Sequence, residues 1–401
     1  MIKQMQNFCQ PIIWRAAFTI SLLSILVACS PTVPDNSLAQ QTTPPVIQVT
    51  SRPTQMSPTS TVEVTETALS TATNLPATAT ISPTNSLIQE PTNTATLVPS
   101  PTLSPTPVPP QARQVRIGLH GRNNGTWQEQ DYQMVKTAGI ETLKMMSLTA
   151  PTVFDRLKRE NPNIEFIVRL YDDRLNEHGH PSPEDYAGRM IPLLSTLQPY
   201  ATKFEIGNEP NHFRRVEGWG PEDADAQDFN TWFLAVYDLL KTAHPWAELG
   251  FPALGTPDEV HRDKAWLKYN VEAINKADWL GVHCYWQTNP DGSNTMFDED
   301  HGLCFKYYHA LFPNKPIELT EFDNDNIYYN LEPISEDQMA TETVAYFQEL
   351  YKYPYIRSAS SFIMSSSDTG NWSSFVWRTE DGHIKPVVAA VGAMPRPALI
   401  R

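Results

Sequence analysis

Seven side chains able to bind a substrate or move a proton stand at the ends of short apolar runs: His120, Arg169, Asn208, Glu209, His283, Tyr285 and Glu321. Two of them are carboxylic acids, in Phe204-Glu205-Ile206-Gly207-Asn208-Glu209-Pro210-Asn211 and in Ile317-Glu318-Leu319-Thr320-Glu321-Phe322. Brought together, such a pair can break a glycosidic bond: one acid protonates the leaving oxygen while the other attacks or steadies the sugar cation. Trp286 directly follows Tyr285 and offers a ring face on which a sugar can stack; Tyr171, Trp219, Tyr328 and Tyr329 are further aromatic candidates. The plainer alternatives are a helix cap for Glu209, a surface ion pair for Glu321, a structural ion pair for Arg169 and core packing for the two histidines. No His-Glu-x-x-His spacing occurs, and Asp323-Asn324-Asp325-Asn326 lacks the calcium-loop pattern, so no metal or cofactor is expected.

These residues need a scaffold that gathers strand ends. Eight β-branched runs supply one: VRIGLH, ETLKMMS, IEFIVRLY, KFEIGNEP, ELGFPAL, WLGVHCYW, PIELTEF and ASSFIMS. Amphipathic helical segments alternate with them. Phe229, Trp232, Phe233, Val236, Leu239 and Leu240 form one stripe, and Val344, Phe347 and Tyr351 lie behind a capping box at Ser335 and Gln338. A third helix starts at Ser182-Pro183-Glu184-Asp185, and Pro192 is expected to kink it. Strands alternating singly with helices argue for a parallel sheet, and eight of them argue for closure into a (β/α)8 barrel. Residues 113–401 number 289, against the ~250 usual for that fold. An open doubly wound sheet is the rival, but no Gly-rich phosphate loop follows an early strand.

With those motifs in their order, the chain resembles the clan A glycoside hydrolases. Asn208-Glu209 resembles their strand-four pair, Glu321 their strand-seven nucleophile, and His283 with Tyr285 their strand-six residues. The resemblance spans strand one to strand eight. It implies a retaining double displacement with Glu209 as acid/base and Glu321 as nucleophile. It also implies Asn208 on the sugar 2-hydroxyl, Tyr285 beside the nucleophile and Arg169 orienting it. One feature departs from the pattern: Phe362-Ile363-Met364-Ser365-Ser366 has no strand-eight Trp, which leaves Trp372 or Trp377 as substitutes. The segment Glu380–Pro386 resembles the hairpin that precedes the closing helix.

The rest of the chain reads as delivery. Ala16–Val27 is a short apolar stretch behind Lys3 and Arg15, and Leu26-Val27-Ala28-Cys29 resembles a bacterial lipobox. Residues 1–28 are therefore expected to be a lipoprotein signal peptide, with Cys29 lipidated and the protein exported and anchored outside the cell envelope. Residues 29–112 form the expected linker: from 30 to 110, 44 of 81 residues are Ser, Thr or Pro, with no aromatic residue and no Gly to build a core. Residues 113–401 are the barrel. Thirty basic against 45 acidic residues, net −15, argue against nucleic acid as partner. The expected partners are a carbohydrate substrate and, through the anchor, the membrane, with the protein working as a monomer. Two cysteines remain, Cys284 and Cys304, and their side chains are expected to face each other and allow a disulfide. Two rival functions are a non-catalytic glycan-binding surface lipoprotein on the same barrel, and an aldolase or amidohydrolase. The second would require a strand-six Lys or a strand-one His-x-His, and neither is present.

Overall fold

The computed structural model describes residues 112–400 except 125, 177–179, 213–216, 258–261 and 368–371. The expected signal peptide, the lipidated Cys29 and the Ser/Thr/Pro linker lie outside the described residues.

Eight parallel strands follow one another around a closed barrel in chain order: β1 (Arg116–His120), β2 (Thr142–Met146), β3 (Glu165–Arg169), β4 (Lys203–Glu205), β5 (Glu248–Phe251), β6 (Trp279–Trp286), β7 (Ile317–Asn324) and β8 (Ile356–Ser361). β1 pairs with β8, placing Arg116 opposite Ser358 and closing the ring. Between the strands run α1 (Glu129–Thr137), α2 (Pro151–Glu160), α3 (Pro183–Leu197), α4 (Asp223–Ala243), α5 (Asp263–Tyr269), α6 (Val271–Lys276), α7 (Phe305–Leu311) and α8 (Glu336–Leu350), and α9 (Val387–Ala393) closes the chain. Among the described residues no helix is long and apolar enough to cross a membrane.

Local chemistry explains the helix ends. Ser182 Oγ accepts from the Asp185 amide at 3.1 Å and Ser335 Oγ from the Gln338 amide at 3.2 Å, so each start satisfies a backbone donor the helix cannot. α3 continues through Pro192 as one helix. The α4 stripe is buried as expected, apart from the half-buried Leu239. The segment after β8 forms the expected hairpin, with Arg378 paired antiparallel to Ile384 ahead of α9.

Several strands end earlier than the sequence suggests, β4 and β8 by the most. β4 stops at Glu205, so Ile206–Glu209 form the turn beyond it, where Gly207 (φ 86°) and Glu209 (φ 44°) both occupy the left-handed region. β8 ends at Ser361, which puts Phe362 at the barrel mouth.

The barrel interior is charged. Lys203 on β4 reaches Glu318 on β7 at 2.6 Å, and Ser358 on β8 donates to the same carboxylate. One layer higher, Lys144 on β2 contacts Glu205 on β4 at 3.0 Å, and Thr320 on β7 donates to Glu205 at 3.0 Å. Contacts between such distant strands require side chains that point inward. Each charge is buried, so each depends on its partner to offset desolvation.

Candidate active site

The C-terminal ends of the strands carry the site. On β7 the alternation is broken by design: Val282 pairs with Leu319 and His283 with Glu321, leaving Thr320 as an extra residue. This bulge lets two consecutive side chains, Thr320 and Glu321, both enter the barrel. Glu321 is 5 % exposed. Its Oε1 accepts from Lys144 Nζ at 2.8 Å, and its Oε2 accepts from the Tyr285 hydroxyl at 2.8 Å. His283 Nε2 and His120 Nε2 stand 3.6 and 3.7 Å from Oε1.

Burial pushes the Glu321 carboxyl up, but the charges of His283, Lys144 and His120, with the Lys144 hydrogen bond, hold it well below the usual carboxylate range. His120 is itself driven down to about 3 by burial, so above that pH it is neutral and its pull on Glu321 counts only in acid. Lys144 stays charged: burial opposes its charge, and Glu205 and Glu321 more than restore it.

Glu209 sits across from Glu321. Its backbone N–H donates to Ala253 O at 2.9 Å, and its Oε1 accepts from His283 Nδ1 at 2.8 Å. Oxygens of both carboxylates and a ring nitrogen of His283 lie within 4.8 Å of one another. Burial raises the Glu209 carboxyl, yet the His283 hydrogen bond and charge bring it to about 2. These three groups offer enough ligand atoms for a cation, but the Lys144 ammonium already neutralises Glu321 from the barrel side.

A cleft of about 250 Å³ opens over the pair, lined by Glu209, His212, Tyr285, Glu321, Asp325, Tyr328, Phe362 and Trp372, among others. Phe362 and Trp372 meet edge to face with ring centres 5.2 Å apart, at the place where the sequence offered no Trp. Trp372 therefore reaches the cleft. Trp377 does not: it is fully buried and donates to Ser361 Oγ at 3.1 Å.

The residues singled out from sequence divide into three groups. Glu209, Glu321, His283, Tyr285 and His120 come together, with hydrogen bonds joining Glu209 to His283 and Glu321 to Tyr285 and both histidines standing 3.6–3.7 Å from Glu321, and Asn208 accepts from Lys144 at 3.1 Å. Arg169 is near the cluster, but its guanidinium is committed to Glu217, 2.8 Å from Nε to Oε2. Trp286 is a correction. It is 1 % exposed, stacks on Phe322 and donates to Glu342 at 2.8 Å, because it shares the outward face of β6 with Cys284. Of the other aromatics, Tyr328 reaches the cleft, whereas Trp219 is buried beneath α4 against Phe229 and Trp232.

Cys284 and Cys304 face each other as expected, with sulfurs 3.4 Å apart, and both are free thiols. Lys144 and Glu205 went unnoticed in the sequence. Their signal was a charge inside an otherwise apolar strand run, at a position facing the barrel.

No family model matches the chain, and no curated protein matches it in sequence. Solved structures do match. The β-D-glucuronidase of Dictyoglomus thermophilum is 15 % identical over 69 % of this chain and 50 % of its own, with a TM-score of 0.50. A calcium-binding mutant of β-glucuronidase 2 from Bacteroides uniformis is 12 % identical over 70 % of this chain and 34 % of its own, with a TM-score of 0.52. The chain thus spans half or less of these larger proteins. What it shares with them is the fold, which in this chain is a closed barrel of eight parallel strands.

Proposed function

We propose that the barrel hydrolyses O-glycosidic bonds in an oligosaccharide or polysaccharide by a retaining double displacement, with Glu321 as nucleophile and Glu209 as acid/base. The observation that carries this reading is that one oxygen of each carboxylate lies within 4.8 Å of an oxygen of the other, at the floor of an open cleft. Retaining enzymes hold their carboxyl groups about 5–5.5 Å apart, and inverting enzymes about 6.5–9.5 Å. The electrostatics suit Glu321 as nucleophile. Lys144 and Tyr285 hold Glu321 ionised and fix its oxygens for attack. Glu209 lies 2.8 Å from His283 Nδ1 and, with its carboxyl at about 2, is ionised until a sugar binds. A sugar entering the cleft removes water from Glu209 and strengthens the effect of burial, which raises its pKa toward that of a working acid.

In this reading Asn208 and Tyr285 meet the sugar, and Phe362 with Trp372 supplies the apolar floor. The protein is exported and held outside the cell envelope by a lipid on Cys29, the Ser/Thr/Pro segment spacing the head from the membrane. The lipobox-like Leu26-Val27-Ala28-Cys29 supports this part.

The test follows the product. Proton NMR of the first released sugar is expected to show the same anomer as the substrate. Glu321→Gln is expected to abolish turnover in a folded protein, and Glu209→Ala to recover turnover of an aryl glycoside when azide is added. An inverted product, or full activity in either variant, overturns the assignment. Membrane retention of Cys29→Ser after a high-salt wash overturns the anchor.

A further inference from the structure

The loop after β7 fastens alternate residues and leaves the one between them aimed at the cleft. Asn324 Nδ2 donates to Glu342 Oε2 and to Thr288 Oγ1, both at 3.0 Å. Asn326 accepts from the Thr288 amide at 2.7 Å and donates to Glu332 O at 2.8 Å. Both flanking side chains are thus spent on the protein. Asp325 lies between them, its own N–H held by Trp286 O at 2.7 Å, and its carboxylate lines the cleft beside Glu209 and Tyr285. The one donor that carboxylate meets among the described residues is the Tyr328 N–H, 3.3 Å from Oδ1. Oδ2 is left open to whatever fills the cleft.

We propose that Asp325 is a specificity residue for the glycosidase reading above, accepting hydroxyl hydrogens from an uncharged sugar ring and turning away a sugar that carries a carboxylate at that position. The inference rests on that reading and narrows its substrate class. A rigidly held carboxylate without a cation is suited to hydroxyl donors, and bonds to a charged acceptor are the stronger kind. A uronate at the same place would meet a like charge in a poorly solvated spot. Burial lifts the Asp325 carboxyl to about 7, the Tyr328 N–H lowers it somewhat and the Glu209 charge raises it again, so the repulsion of a uronate is expected above that pH, where Asp325 is charged, and the assays below are run at about pH 8. The two glucuronidases that share the fold act on an anionic sugar by name, so this cleft is expected to part from them in substrate.

A loop-capping role for Asp325 is the competing account, and the Asn variant separates the two because Asn keeps an oxygen for the Tyr328 N–H. The full chain and Asp325→Asn are assayed on 4-nitrophenyl β-glucoside, 4-nitrophenyl β-glucuronide and β-linked gluco-oligosaccharides. The parent is expected to favour the neutral sugars. The variant is expected to lose about tenfold or more in kcat/KM on them, mainly through KM, at unchanged thermal stability. Its relative rate on the glucuronide is expected to rise. An unchanged preference, or a loss of stability without any change in KM, overturns the proposal. If none of the glycosides is cleaved, gluco-configured substrates are excluded from turnover. Asp325 is then judged by calorimetric binding of gluco-oligosaccharides and their 6-carboxylated forms to the chain with and without Asp325→Asn. Binding whose preference ignores that change overturns the proposal, and so does no binding at all.

Discussion

Replacing Lys144 by Met tests the charge balance beneath the site. The ammonium is wholly buried and touches Glu321 at 2.8 Å, Glu205 at 3.0 Å and Asn208 at 3.1 Å. At an effective dielectric of about 20, each of the two ion contacts is worth roughly 5–6 kcal/mol before desolvation is counted. Met fills most of the volume but leaves two carboxylates facing each other without a cation. Breaking a buried pair from one side typically costs about 3–5 kcal/mol, and that loss is expected in urea unfolding at pH 7. The same change should move the chemistry. Lys144 lowers the Glu321 carboxyl by both charge and hydrogen bond, so its removal raises that pKa. A nucleophile must be ionised to attack, so the acid limb of the kcat/KM profile is expected to shift to higher pH. Glu205→Gln added to Lys144→Met should recover part of the stability while leaving the shifted limb, since Glu205 balances charge without attacking. Parent-like stability in Lys144→Met would refute the reasoning, because no other described cation contacts both carboxylates.

Two further outcomes follow from neighbouring groups. His120 is held near pKa 3 when folded and titrates near 6.5 when unfolded, so between these values the unfolded chain binds the extra proton and stability rises with pH. That dependence approaches about 1.4 kcal/mol per pH unit for the one group, and His120→Asn should lessen the slope of unfolding free energy between pH 5 and 6.5; an identical slope counts against burial as the cause. Mild oxidation should join Cys284 to Cys304, whose sulfurs are 3.4 Å apart, and closing this loop is worth about 3 kcal/mol. Non-reducing peptide mass spectrometry that finds two thiols after oxidation removes that expectation.

The barrel was legible because its strands are short, apolar and separated by strongly periodic helices, and parallel strands of this kind have few other ways to pair. Glu209 and Glu321 were legible as polar ends of apolar runs. Trp286 misled because adjacency to Tyr285 in sequence was read as adjacency in space; the alternation that turned Cys284 outward turns Trp286 outward too. The bulge at Thr320 hid the converse case, since a strict period of two would let only one of Thr320 and Glu321 face inward. Lys144, Lys203, Glu205 and Glu318 escaped a reading confined to strand ends, although a charge inside a strand covered on both faces already demands a partner. The groups that fix the ionisation of Glu321 stand on the strands β1, β2 and β6, whereas Asp325, Tyr328 and Trp372 stand in loops at the cleft. In the proposed reading, changes in the upper loops alter the sugar accepted while the buried Lys144 still holds Glu321 ionised.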